Sequence, residues 1–141
     1  MKLLRFSMML VLLPMLSGCL SSLLPKAQER AQYALPAPVD LKAKRALPGA
    51  LLVDAPSALA PRDGRDVLLM RDDGELQIMP GVAWVAPLPT LMQDLLARQI
   101  EMAGAAPAVA QSAQNYRLPL RLSSELRAFE LHESGSTLKV H

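Results

Sequence analysis

Asp66–Met79 reads DVLLMRDDGELQIM, and this stretch decides the fold. Val67-Leu68-Leu69-Met70 is apolar, and Leu76 and Ile78 alternate with Glu75 and Gln77 on the way back. Side chains of a strand point to opposite faces in turn, so the returning segment has one apolar and one wet side. Between the arms stands Arg71-Asp72-Asp73-Gly74. Asp-Gly is a strong hairpin signal, because both central residues of a type I′ turn take positive φ. Pro80-Gly81 is expected to end the second strand. An antiparallel pair with one face to bury needs another layer to cover it.

That layer follows directly in the chain. Leu88, Leu91, Met92, Leu95, Leu96, Ile100 and Ala103 recur at spacings of three and four, an amphipathic helix over about 90–103. Gln93, Asp94, Arg98 and Glu101 form its wet side. Thr90 and Gln93 have capping-box spacing, Asp94 is placed to favour the helix dipole, and Gly104 is the expected C′ stop. Trp84 lies just ahead. It is expected to pack near the helix start; the sharper reading makes it a partner or ligand surface.

Outward from this centre, Gln32–Leu35 reads as an edge strand stopped by Pro36, and Ala37–Gly49 as an extended loop. Ala50–Asp54 is a short buried strand and Ser57–Arg65 a loop. After the helix, Ala105–Gln111 is a short strand and Ser112–Asn115 a link. In the longest strand, Tyr116, Leu118, Leu120 and Leu122 alternate with Arg117, Pro119, Arg121 and Ser123. Pro119 argues for an edge or a bulge there. The apolar phase changes between Leu126 and Phe129, which predicts a bulge or bend. Glu133–Ser136 is a turn and Thr137–His141 a returning strand. Strands, helix, strands make an α+β domain: a largely antiparallel sheet with one principal helix on one face.

Composition sets the scale. The 141 residues suffice for one small domain, and with 4% aromatics its core is aliphatic. Twelve prolines predict short elements. Without Lys2 and Arg5, 13 basic residues face 13 acidic ones. A neutral chain with no basic block gives no reason to propose nucleic acid.

Lys2 and Arg5 belong to a separate segment, MKLLRFSMMLVLLPMLSGC. A positive head precedes an uncharged run from Phe6 to Leu16, the pattern of a secretory signal. The run is shorter than the roughly 20 apolar residues of a spanning helix. It ends in Leu16-Ser17-Gly18-Cys19, which resembles the lipobox of bacterial lipoproteins. The resemblance implies cleavage after Gly18, S-diacylglycerol on Cys19 and N-acylation of the new terminus, typically with palmitate. The competing readings of this single cysteine are an inert buried thiol and a catalytic one; an internal disulfide needs a second cysteine. Two or three acyl chains make attachment effectively permanent, whereas one alone binds with K of about 10⁴ M⁻¹. Residues 1–18 are therefore read as signal peptide, 19–31 as lipidated tether and 32–141 as the folded domain. Leu20, not aspartate, follows the cysteine. By resemblance to enterobacterial sorting, this favours the inner leaflet of the outer membrane, facing the periplasm, over the inner membrane.

The folded part resembles the ABC-type transport auxiliary lipoproteins, the outer-membrane lipoprotein components of MCE- and Pqi-type lipid transporters. Tyr33-Ala34-Leu35-Pro36 is similar to the family's Tyr-x-Leu opening, and Leu51-Leu52-Val53 to its first core strand. Ala83-Trp84-Val85-Ala86-Pro87-Leu88 resembles its Trp-Ala-x-Pro-Leu approach to the helix, with Ala83 where Arg is common. Leu118–Phe129 resembles the long strand that closes on a phenylalanine and an acidic residue, here Phe129-Glu130. Family members usually run several tens of residues further. The resemblance therefore implies a truncated domain with an incomplete sheet, poorly stable unless a partner covers it. It also implies an accessory role, by tethering and docking, beside an MCE-family periplasmic protein and an ABC permease and ATPase, or against a further copy of itself. The alternative is a lipoprotein that binds lipid or a small molecule alone, in an apolar cavity near Trp84 and Leu95.

No catalytic motif competes with these readings. HExxH, CxxC, GxSxG and the Walker glycine loop are missing from the sequence. His132 and His141 lack a third ligand at useful spacing and read as surface histidines. Asp63-Gly64 and Asp72-Asp73-Gly74 lack the alternating carboxylates of a calcium loop and read as turns. No enzyme activity, cofactor or metal is expected.

Overall fold

The computed structural model describes residues 29–111 and 118–140, the last six by backbone alone. The lipobox, Cys19, the link at 112–115, the start of the predicted long strand and His141 lie outside these residues.

Strands β1 (Ala31–Tyr33), β2 (Leu51–Val53), β3 (Ser57–Ala58), β4 (Asp66–Met70) and β5 (Leu76–Trp84) precede helix α1 (Leu88–Met102). Strands β6 (Val109–Ala110), β7 (Leu120–Leu122), β8 (Glu125–Leu126), β9 (Phe129–His132) and β10 (Gly135–Val140) follow it. They form a five-stranded sheet in the order β1-β5-β4-β9-β10, a three-stranded sheet β6-β2-β7 and a two-stranded sheet β3-β8. The class is α+β, but the largely antiparallel sheet expected from the sequence is corrected to a mixed and parallel arrangement. Among the described residues only β4 with β5 and β9 with β10 run antiparallel. The pairs β1–β5, β2–β6, β2–β7, β3–β8 and β4–β9 are parallel. Tight turns force antiparallel neighbours, while connections through other elements permit parallel ones. Both antiparallel pairs here are the ones that a short turn joins.

The central hairpin forms where expected, with another turn. Among the described residues no non-glycine has positive φ, and Gly74 has φ of 87°. The Gly74 N–H donates to Arg71 O at 2.9 Å, and the Arg71 N–H to Glu75 O at 2.9 Å. These bonds build a three-residue loop, a type I turn closed by a left-handed glycine, instead of type I′. Strand β5 does not stop at Pro80-Gly81. Leu68 pairs with Ile78, but Asp66 pairs with Ala83, so extra residues of β5 bulge out between these pairs. Pro80 lacks an N–H to give to the ladder and Gly81 adopts φ of 73°, so both suit the bulge. The strand then continues to Trp84.

The N-cap of helix α1 lies three residues before Thr90, and the capping-box reading is corrected. Pro87 is the N-cap and makes no side-chain cap bond. The Leu88 N–H donates to Gly64 O at 2.8 Å. Gln93 instead donates from Nε2 to Val53 O at 2.8 Å and to Gln111 O at 2.9 Å, lacing the helix to β2 and the segment after β6. Asp94 is not in the first turn; it pairs with Arg98 at 2.7 Å, an i,i+4 contact. The C-terminus matches expectation. The Gly104 N–H donates to Glu101 O and the Ala105 N–H to Ile100 O, the paired bonds of a Schellman stop.

The helix serves two cores. Its C-terminal half buries Ala97 against Leu51 and Val53, with Leu96, Ile100, Val109, Leu120 and Leu122 around them. All three residues of β2 are buried, as suits a central parallel strand. Its N-terminal end places Leu88 with Leu126 and Phe129, flanked by Leu35, Ala58, Trp84 and Met92. The phase change between Leu126 and Phe129 is a change of sheet: β8 pairs with β3, and β9 pairs with β4 and β10.

Candidate functional site: a groove beside Trp84

Trp84 ends β5, and its backbone is fixed from two sides. Its N–H donates to Arg65 O at 2.7 Å, and its carbonyl accepts from Arg65 Nε at 2.9 Å. On the other side it is in register with Tyr33 of β1, whose carbonyl accepts from the Val85 N–H at 2.9 Å. The indole meets the Phe129 ring edge-on, centroids 5.7 Å apart and planes at 70°. This geometry suits the ring quadrupoles. The core reading of Trp84 therefore holds.

Trp84 also lines a groove of about 400 Å³. Tyr33, Leu35 and Pro36 wall it from β1 and the segment that follows. Val67, Met79, Val82 and Leu131 line it from β4, β5 and β9, beside Trp84 itself. Leu95, which the sequence placed near such a cavity, is not in its lining. None of the lining residues is charged. Trp84 Nε1 is buried and has no hydrogen-bond partner, which leaves a donor unsatisfied. Trp84 thus packs against the core and also lines the groove.

Period-two alternation puts Phe129 and Leu131 on one face of β9 and Glu130 and His132 on the other. Glu130 is buried, 5% exposed. Arg62 donates to both its carboxylate oxygens, from Nε at 3.2 Å and Nη2 at 3.1 Å, and the Phe129 N–H donates to it at 2.6 Å. Burial pushes the pKa of this carboxyl up. The bonds from Arg62 and Phe129, with the charges of Arg62 and His132, outweigh burial and hold it below the ordinary value. A lone acid inside an apolar strand was visible in the sequence, but its partner lies 68 residues away, in what reads only as a loop. The pair braces β9 to the loop after β3. Arg30, also unanticipated, pins β1: Nε donates to Val82 O at 2.9 Å, and Nη2 pairs with Asp66 at 2.7 Å.

Among the described residues no group of acids, histidines and cysteines could hold a metal. Nor is any helix there long and apolar enough to cross a membrane.

The comparisons with known proteins agree with this architecture. A family model described as the ABC-type transport auxiliary lipoprotein component matches residues 33–140. A crystal structure of a Xanthomonas campestris protein of family DUF330, which is the same family, superposes with a TM-score of 0.62 at 29% identity. That match covers 76% of this chain and 60% of the other, so this chain spans about 60% of the length of that protein. A second crystal structure, of an uncharacterized protein, gives 0.57 at 14% identity over 79% of this chain and 75% of its own, a likeness of fold alone. A search of curated proteins found no significant match. With three quarters of its length matched by the family model and its fold shared with a solved member, the chain belongs to the ABC-type transport auxiliary lipoprotein family.

Proposed function

We propose that the protein is the periplasm-facing accessory lipoprotein of an MCE-type ABC system that moves lipid or organic solvent. It is anchored by acylated Cys19 in the inner leaflet of the outer membrane and acts by tethering and docking, without catalysis. The observation that carries this reading is the family match over residues 33–140, read together with the lipobox at Leu16–Cys19. The edge strand β1 supplies a docking surface: all three of its residues are exposed, and it closes one side of the five-stranded sheet. A sheet edge of this kind invites pairing with another chain. Cross-linking in intact cells, followed by recovery of the protein from membranes, tests the proposal. An MCE-family protein with its permease and ATPase is the expected catch. Recovery of none of these would contradict the reading.

A second reading, a lipoprotein that itself binds lipid or a small molecule, is favoured by the groove beside Trp84.

A further inference from the structure

We propose that the groove beside Trp84 is a binding site for a single acyl chain of a membrane phospholipid. The inference rests on the second reading above and gives it a place in the molecule.

Three features of the chain support this occupant. The first is the lining. Leu35, Val67, Met79, Val82 and Leu131 offer hydrocarbon, and no charged group meets the ligand, so a headgroup must stay outside while a chain goes in. The second is size. A volume of about 400 Å³ lies at the small end of ligand sites, suited to one slender chain and too small for a whole diacyl lipid. The third is position. Tyr33 lines the groove and stands 14 residues after Cys19. At most about 3.5 Å per residue, the tether keeps the groove within roughly 50 Å of the anchored end. Membrane lipid is the hydrocarbon available at that range.

Trp84 is also the single tryptophan of the chain, so its emission reports on this site alone. The mature lipoprotein is reconstituted in vesicles of dioleoylphosphatidylcholine or of its brominated analogue, since bromine quenches indole on contact. In a separate arm, dibromostearic acid is added to protein in unbrominated vesicles. Emission is expected to fall by about half in brominated vesicles. A free acid that quenches as well shows that the site takes any acyl chain, whereas quenching by the free acid alone overturns the assignment to phospholipid. Val82→Glu, which charges the lining, and Val82→Phe, which fills it, should both restore the emission. Ile78→Glu, at an exposed position on the other side of the hairpin strand, should leave quenching intact. No quenching in either arm, or equal quenching in all variants, overturns the proposal. Native mass spectrometry separates the two levels of the argument. Lipid retained equally by wild type and both Val82 variants means that the protein binds lipid elsewhere, so the groove assignment fails and the second reading survives. Lipid absent from all of them removes both.

Discussion

The two ends of helix α1 meet two different interiors. At the C-terminal end, Ala97 is 2% exposed against Leu51 and Val53 of a parallel strand, and its small side chain lets the helix sit close. At the N-terminal end, Leu88 is equally buried, yet the neighbouring Trp84 both meets Phe129 and lines an open groove. The first region has its apolar faces filled from within the chain. Among the described residues, the second leaves apolar side chains of β1, β4, β5 and β9 bordering open space. One end of the helix is thus closed by its own neighbours, and the other is not.

Substitutions at the two ends should differ in what they cost. The largest loss is expected at the brace behind the groove. Arg62→Ala leaves the buried Glu130 carboxylate without its partner and should cost about 3–5 kcal/mol in urea unfolding. Leu51→Ala in the filled interior should cost about 2–5 kcal/mol, because a cavity opens among close-packed neighbours. Met79→Ala, at the groove, should cost less than about 1 kcal/mol, since its side chain already borders empty space. Equal losses at Leu51 and Met79 would erase the distinction between the two regions. Arg98→Ala removes an exposed i,i+4 pair and should change stability by no more than about 0.5 kcal/mol.

Acid sharpens the picture of the brace. The folded-state pKa of Glu130 lies below its ordinary value of 4.5, so the bound carboxylate stabilises the fold at neutral pH. That contribution is present above 4.5 and is lost as pH falls from there through the lower folded value. Urea midpoints measured across this range should drop for wild type. Glu130→Gln should start from a lower midpoint and show a flatter profile. A mutant profile parallel to that of wild type would mean that other carboxylates set the acid response.

Local features were legible in the sequence, and long-range pairing was not. The hairpin at Asp66–Met79, the helix stripe, the Gly104 stop and the buried Leu51–Val53 strand all depend on neighbours within a few residues. Their periodicity and turn chemistry sufficed to find them. The parallel neighbours of β2 come from strands more than 50 residues later, and no local pattern specifies them. The capping box failed because Gln93 had better partners in Val53 and Gln111, a tertiary demand invisible at Thr90. The hairpin turn differed because Asp72-Asp73-Gly74 also fits a three-residue loop, in which Asp73 Oδ1 accepts from the Glu75 N–H at 3.0 Å. Of the site, Trp84 stood out as the single tryptophan ahead of the helix. The groove was not legible beyond it, because its walls come from four strands and the segment after β1.

Native mass spectrometry of the protein extracted from membranes tests the central claim most directly, that this is an anchored lipoprotein with a lipid-accepting groove. The account predicts a polypeptide that begins at Cys19 and carries covalent diacylglycerol and N-acyl mass. A phospholipid should be bound to it and leave on collisional activation. A chain that still begins at Met1, or one cleaved at another position without acyl mass and without bound lipid, would contradict it.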